Sequence, residues 1–462
     1  MYDGLLVIDA DAHKIENPLV MREYLAPEYR DRIGLTVDKL GDQRARIVDF
    51  NPATGQNDFA RLFPQPQGLG KGGFRTLHPE TTLGAVFNRQ RIEHMDREGI
   101  DVQVIYGTLN LVFSSLLDKD LAVALCQAYN DYIADDCRKY SDRLKPIGVL
   151  PLQDVGEAVK EMHRCVNELG MVGIAIAPNI PVPHPKAPDA FPDIRTCKTP
   201  SHPDFHPILQ AAVDLDIAVG MHGGPGSSMV GGISDHTETF ILTHVFVQRN
   251  QQQLAMARMV FDGAFEKFPN LRVGFLEGGC GWVPDLAHAF HEHWEKRIRD
   301  FDPKHPYRPP LMEFTKLLVQ ERGNNNVNIV SQAKNLFDLM WNRDNDPTQI
   351  EDESLYEHYN LRHRDPMEYF ERGQIFTSFE SDDPGPAYLP VAMGEVGKRL
   401  ACFSGDYGHW DGVLKDCVKD AASVADYDRD HLARLLGGNA LDLYGDRLRN
   451  SIPAPQQTQV TV

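Results

Sequence analysis

The chain has too little positive charge to suit a polyanionic partner. Its 47 lysines and arginines stand against 66 aspartates and glutamates, a formal net charge of -19 over 462 residues. That balance repels a nucleic-acid backbone and an anionic membrane alike. No uninterrupted apolar run reaches about 18 residues, so no membrane-spanning helix is expected. The N-terminal stretch has no basic segment followed by an apolar one of the signal-peptide kind. There are seven cysteines, an odd number, and no two are spaced as CxxC. Reduced, mostly buried thiols in a cytoplasmic protein are therefore expected, with Cys280 and Cys402 as buried filler. Gly68–Gly73 is glycine-rich but lacks the GxxxxGK[ST] spacing of a phosphate loop. What these absences leave is an acidic globular protein acting on a small molecule.

What is present is alternation. Apolar strand-like runs are expected at Leu5–Asp11, Val102–Tyr106, Lys145–Leu150, Val172–Ala177, Ile217–Met221, Arg272–Leu276, Gln374–Phe379 and Leu400–Ser404. Nearly all are separated by helical patterns, which points to a parallel sheet. Eight such units predict an α/β fold of the distorted (β/α)8 TIM-barrel type. A doubly wound open sheet is the alternative, but no glycine-rich first turn supports it. Residues 1–451 read as one domain, with loop insertions near 34–80, 181–203 and 320–369. Residues 452–462, rich in proline, glutamine and threonine, read as a flexible tail.

In a barrel of this type the chemistry sits at the C-terminal ends of the strands. The polar residues ending the expected strands are Asp11 and His13, His222, Glu277, Glu380, and Asp406. They are far apart in sequence, yet the fold would bring them to one rim. Imidazole and carboxylate donors in this mixture suit Zn²⁺, Mn²⁺ or Fe²⁺, with positions left for water and substrate. If Leu5–Asp11 is a strand, period-two alternation aims Asp9, Asp11 and His13 the same way. Asp9 reads as a supporting residue and Glu380 as a further supporting candidate. His288, His291 and His293 read as a solvated helix face.

These stretches carry a resemblance. Val7–His13, Met221–Gly224, Phe265–Leu271, Leu276–Trp282, Phe403–Trp410 and Asn439–Gly445 together resemble the amidohydrolase superfamily. The similarity is to the branch containing aminocarboxymuconate semialdehyde decarboxylase and the resorcylate-type decarboxylases. The resemblance implies metal ligands at Asp11, His13, His222 and Asp406, with Asp406 also moving a proton. Where the family has His-x-His, this chain has Asp11-x-His13, and Glu277 stands where a histidine is often found. Glu277 could bridge to a second metal or act as an acid or base, so one or two ions are both expected. No lysine ends strand four, which argues against a carbamylated bridge. His244 resembles a substrate-proximal position, with a core histidine as the equal alternative. His409 is expected to orient Asp406 or the substrate.

The preferred expectation is a metal-dependent hydrolase using metal-activated water on an amide, ester or thioester of a small organic acid. The alternative is a non-oxidative decarboxylase of an aromatic or unsaturated carboxylic acid. A barrel that binds a ligand without turnover is a third reading, disfavoured by the converging metal donors. A small-molecule substrate and a homodimer or larger homo-oligomer are the partners expected.

Overall fold

Segments that the sequence marks as apolar become strands buried on both faces. The computed structural model describes residues 1–37, 43–51, 55–59, 79–183, 195–223, 240–298, 310–321, 329–341, 364–409, 412 and 415–453. The parallel strands are β1 (Ile8–Lys14), β2 (Val102–Gly107), β3 (Leu144–Pro146, resuming as Gly148–Val149), β4 (Gly173–Ile176), β5 (Ala218–His222), β6 (Val273–Leu276), β7 (Ile375–Phe379) and β8 (Ala401–Phe403). Every residue of β1, β2, β5 and β7 is buried. This is why these strands read as near-continuous apolar runs.

Neighbours in sequence are neighbours in space. β1, β2 and the first part of β3 form one parallel sheet. The second part of β3 opens another, which continues through β4, β5, β6 and β7 to β8. The last strand returns to the first. Ser404 Oγ donates to the Asp11 carbonyl at 3.1 Å, and the Gly405 N–H donates to Asp9 Oδ1 at 2.9 Å. The His13 N–H donates to the Tyr407 carbonyl at 2.7 Å. The architecture is mixed α/β with parallel sheets.

Helices intervene: α1 (Asn88–Glu98), α2 (Lys119–Tyr140), α3 (Val155–Asn167), α4 (His206–Asp214), α5 (Phe240–Phe261) and α6 (Val283–His293). The ends follow from local chemistry. Asp118 caps α2 by accepting the Leu121 N–H at 3.1 Å, and Asp154 caps α3 by accepting the Glu157 N–H at 3.1 Å. α1 stops at Gly99, whose φ of +76° is the left-handed cap that glycine adopts at little steric cost. The closing helix, Asn439–Ser451, sends fully buried Leu443, Tyr444 and Leu448 into a cluster with Ile8, Val104 and Tyr106. Its Tyr444 hydroxyl donates to the Ala10 carbonyl at 2.8 Å and meets the Tyr106 hydroxyl at 2.8 Å.

Several expectations change. β1 starts three residues later than the sequence suggests, and its register shifts between Asp9 and Ala12. The bulge breaks period-two alternation, so Asp9 does not share its direction with Asp11 and His13. The first insertion holds three antiparallel strands, Ile33–Val37, Gln43–Asn51 and Gln56–Phe59. Buried Asp49 ties it to the start of α2, accepting N–H bonds from Leu117 (2.7 Å) and Asp118 (3.0 Å). The proline-rich stretch expected as a loop contains an antiparallel pair, Ile180–Pro183 with Arg195–Lys198. A two-stranded ribbon has open edges, where proline is tolerated. At the third insertion, α7 (Leu311–Gln320), which leads up to it, and α8 (Ala333–Trp341), which lies within it, meet through an edge-on contact of Phe314 and Phe337 at 5.6 Å. Residues 342–363 and the tail beyond Pro453 lie outside the described residues. All seven cysteines are free thiols. No helix among the described residues is long and apolar enough to cross a membrane.

Gln252 on α5 is fully buried, and its amide donates to the carbonyls of Met221 (2.9 Å) and Leu276 (2.8 Å), bracing the ends of β5 and β6. Replacing it by leucine strands two buried carbonyls. We expect Gln252→Leu to cost about 2 kcal/mol, read as a lower urea midpoint with an unchanged slope.

Candidate metal centre

Four strand ends converge. Asp11 and His13 come from β1, His222 ends β5, Glu277 follows β6, and Asp406 follows β8. His222 Nε2 lies 3.1 Å from His13 Nε2, 3.5 Å from Asp11 Oδ1 and 3.4 Å from Glu277 Oε2. His13 Nε2 lies 3.6 Å from both Asp11 Oδ1 and Asp406 Oδ1. His409 joins from the loop after β8: its Nδ1 is 2.7 Å from Asp406 Oδ1 and 3.6 Å from Glu277 Oε1. The His409 ring stacks on that of His13 at 3.8 Å.

The donors fit a divalent cation. Asp11, His13 and His222 each offer one ligand atom within 4.8 Å of the others, as do His13, Asp406 and His409. His222 donates its Nδ1–H to the Gly223 carbonyl at 2.6 Å, which leaves the Nε2 lone pair directed inward. Asp11 Oδ1 is buried with no hydrogen-bond donor among the described residues. A buried carboxylate oxygen facing two imidazole nitrogens is arranged for a cation rather than for a protein partner.

The electrostatics agree. Burial holds the Asp11 carboxyl well above the usual range, reinforced by Asp406, Asp9 and Glu380. Burial, with His409 and His222, holds the His13 imidazole well below its usual range. His222 is pushed down to about 4, mainly by burial and then by His409. Both imidazoles are thus neutral at pH 7, the form that binds metal.

Asp9 supports rather than faces this cluster. It is fully buried, and its carboxylate accepts N–H bonds from Gly405 (2.9 Å), Asp11 (3.3 Å) and the Gln103 amide (2.9 Å). Burial pushes its carboxyl up to about 6 against those bonds. A Cβ at Gly405 would sit 2.7 Å from Asp9 Oδ2, so this approach requires glycine. Glu277 and Asp406 adopt positive φ angles, +57° and +42°. Strained non-glycine residues cluster at functional sites.

A cavity of about 240 Å³ opens beside the cluster, lined by Gln248, Arg249, Glu277, Glu380, Asp382 and Asp406 among others. Glu380 is exposed on its rim. His244 lies near the start of α5, and its side chain is outside the described residues. His288 and His293 are exposed, as a solvated face requires, and His291 Nδ1 pairs with Asp365 at 2.7 Å. Arg91, Gln103, Tyr407 and His94 surround the cluster without having been singled out from the sequence. Arg91 is fully buried, although it sits in a helix whose composition is mostly charged and polar.

Comparisons with known proteins align with this geometry. A family model described as amidohydrolase matches residues 87–322, just over half of the chain. The chain is 30% identical over 204 residues to 2-amino-3-carboxymuconate-6-semialdehyde decarboxylase from Dictyostelium discoideum, covering 44% of this chain and 51% of that protein. The chain thus spans about half the length of that relative. A solved amidohydrolase from Mycobacterium avium subsp. paratuberculosis superposes with a TM-score of 0.62 at 17% identity, covering 96% of this chain and all of the other. A dihydroxybenzoic acid decarboxylase from Polaromonas sp. JS666, solved with manganese and 2-nitroresorcinol, superposes with a TM-score of 0.54 at 17% identity, covering 82% and 93% of the two chains.

Two tests follow from the geometry. Because the Asp11 pKa is raised on folding, its contribution to stability is present at acid pH and lost as pH rises. Metal-free Asp11→Asn should therefore melt above metal-free wild type near pH 7, with the gap closing at acid pH. Mn²⁺ should raise the wild-type melting temperature only. At Glu277, alanine and glycine remove the same carboxylate but only glycine relieves the positive φ. Glu277→Gly should be more stable than Glu277→Ala by about 1 kcal/mol in urea, the reverse of the usual order in regular structure.

Proposed function

The chain belongs to the amidohydrolase family, and we propose that it is a metal-dependent, non-oxidative decarboxylase of a small aromatic or unsaturated carboxylic acid. The observation that carries this reading is the convergence of Asp11, His13, His222 and Asp406 at one rim of the parallel strands. The eight strands are read as a closed, distorted (β/α)8 barrel, a reading supported by their sequential order and by the bonds from Ser404 and Gly405 back to β1.

Asp11, His13, His222 and Asp406 are assigned as metal ligands, with Glu277 beside them. Mn²⁺ is the preferred ion, since a carboxylate-rich set suits it and the Polaromonas decarboxylase was solved with manganese. A divalent cation bound there supplies Lewis acidity that anchors the substrate carboxylate and stabilises charge developing beside it. The protein's own groups do the rest. The 240 Å³ cavity admits a small acid, and Arg249 on its wall offers a guanidinium for orientation. The Asp406–His409 pair, 2.7 Å apart, holds a proton next to the reacting carbon. The carbon–carboxyl bond breaks, its electron pair stays on the substrate carbon, CO₂ leaves, and this proton takes the vacated position. Hydrolysis would draw on the same donors, but the named chemistry of the relatives favours decarboxylation.

The test is a panel of hydroxylated aromatic and unsaturated acids, together with acyl conjugates, assayed with Mn²⁺-loaded protein. CO₂ release matched by the decarboxylated product is expected. Acid release from the conjugates without CO₂ would overturn the reading. Asp406→Asn should lower kcat by about 10²–10⁴-fold while circular dichroism stays unchanged. A near-normal rate would remove Asp406 from the proton-carrying role.

A further inference from the structure

Arg91 is a buried cation whose direct contacts among the described residues are with uncharged groups. It is 0% exposed, and no carboxylate among the described residues forms an ion pair with it. Burying a guanidinium is costly unless its hydrogen bonds are placed well. Its Nε has no acceptor among the described residues. The remaining contacts fall on His13 at the end of β1, on Gln103 in β2 and on Tyr407 in the loop after β8.

One terminal nitrogen donates to the backbone carbonyl of His13 itself. The other donates to Gln103 Oε1 at 3.0 Å. The Gln103 amide then donates to Asp9 Oδ2 at 2.9 Å, and Asp9 Oδ1 takes the N–H groups of Asp11 and Gly405. The guanidinium face lies 4.6 Å from the centre of the Tyr407 ring. Tyr407 follows Asp406 directly, its carbonyl accepts the His13 N–H at 2.7 Å, and its hydroxyl bonds His94 Nδ1 at 2.6 Å. A single planar group therefore touches the end of β1, braces the carboxylate that joins β1 to the β8 loop, and packs on that loop.

We infer that Arg91, acting through Gln103, Asp9 and Tyr407, is the positioning residue that holds the two ligand-bearing segments in register and so sets how tightly the site retains its cation. The inference rests on the metal-site reading above. The rigid fork and flat face of a guanidinium are both used, and lysine offers neither. Residues that hold metal ligands from behind commonly govern affinity by about 10-fold or more. The Arg91 charge faces the Asp9 carboxylate across one amide, so the relay places no lone positive charge behind the cation.

The experiment is chelator-competition titration of the full chain with Mn²⁺, together with electron paramagnetic resonance of the bound ion. Arg91→Lys, Gln103→Leu and the double variant are compared with wild type, counting only folded protein. Each single variant should weaken Mn²⁺ binding at least fivefold and broaden the spectrum of the bound ion. The double variant should be no weaker than the worse single, because both break one chain of contacts. Losses below fivefold alongside a lowered melting temperature would show that Arg91 serves the fold alone and would overturn the inference. Losses that multiply in the double variant would overturn the shared relay. If Arg91→Lys does not fold, Gln103→Leu decides by the same fivefold limit. Wild type that binds no Mn²⁺ would instead overturn the metal-site reading itself, so the two failures are distinguishable.

Discussion

The Asp9 carboxylate is the contact on which the rest of the site depends. One of its oxygens takes the N–H of Asp11 on β1 and the N–H of Gly405 beyond β8. That shared acceptor fixes the first strand against the last. With the two held together, His13 and Asp406 come within 3.6 Å and His409 can stack on His13. The contact is demanding. It needs a fully buried carboxylate, a glycine with no Cβ, and an amide from Gln103 to help satisfy the charge. Each requirement costs stability locally, and the gain is geometric: imidazole and carboxylate side chains from two ends of the chain meet in one place.

The interior chemistry has a matching logic. Burial raises the Asp11 carboxyl and lowers both imidazoles, so in each group the uncharged form is favoured. A divalent charge would draw the Asp11 carboxyl back to its ionised form and use the neutral imidazoles as they stand. Around the mouth the balance stays acidic, with Glu380 and Asp382 on the rim and Arg249 as the guanidinium on the wall. Any anion there would meet these carboxylates, with Arg249 as the opposing charge on the wall.

Most of this rim was legible from sequence, for a definite reason. In a parallel α/β arrangement the residue that ends each apolar run is delivered to the same side, so Asp11, His13, His222, Glu277 and Asp406 could be picked out from run endings, and His409 from its place three residues after Asp406. The bulge in β1 could not, because it arises from pairing with β2 and from the bonds to Gly405, neither of which is local. Arg91 was invisible for a similar reason. The stretch Asn88–Glu98 is mostly charged and polar, and nothing in its composition says which arginine turns inward. The strand pair at Ile180–Pro183 and Arg195–Lys198 was hidden by prolines, which ordinarily mark loops. The choice between hydrolysis and decarboxylation was not readable either, since both reactions recruit the same donors and differ in what the substrate offers.

The bond between Asp9 and Gly405 spans 396 positions of chain. Contacts of such separation form late, because the intervening chain must be ordered before the ends can meet. During synthesis the segment holding Asp11 and His13 emerges long before its counterpart holding Asp406. Half of the cluster therefore waits, as part of an open sheet edge, until the far end of the protein has been made and folded. On the metal-centre reading proposed above, cation capture would report on completion, since a chain whose first and last strands have not met would lack part of the donor set.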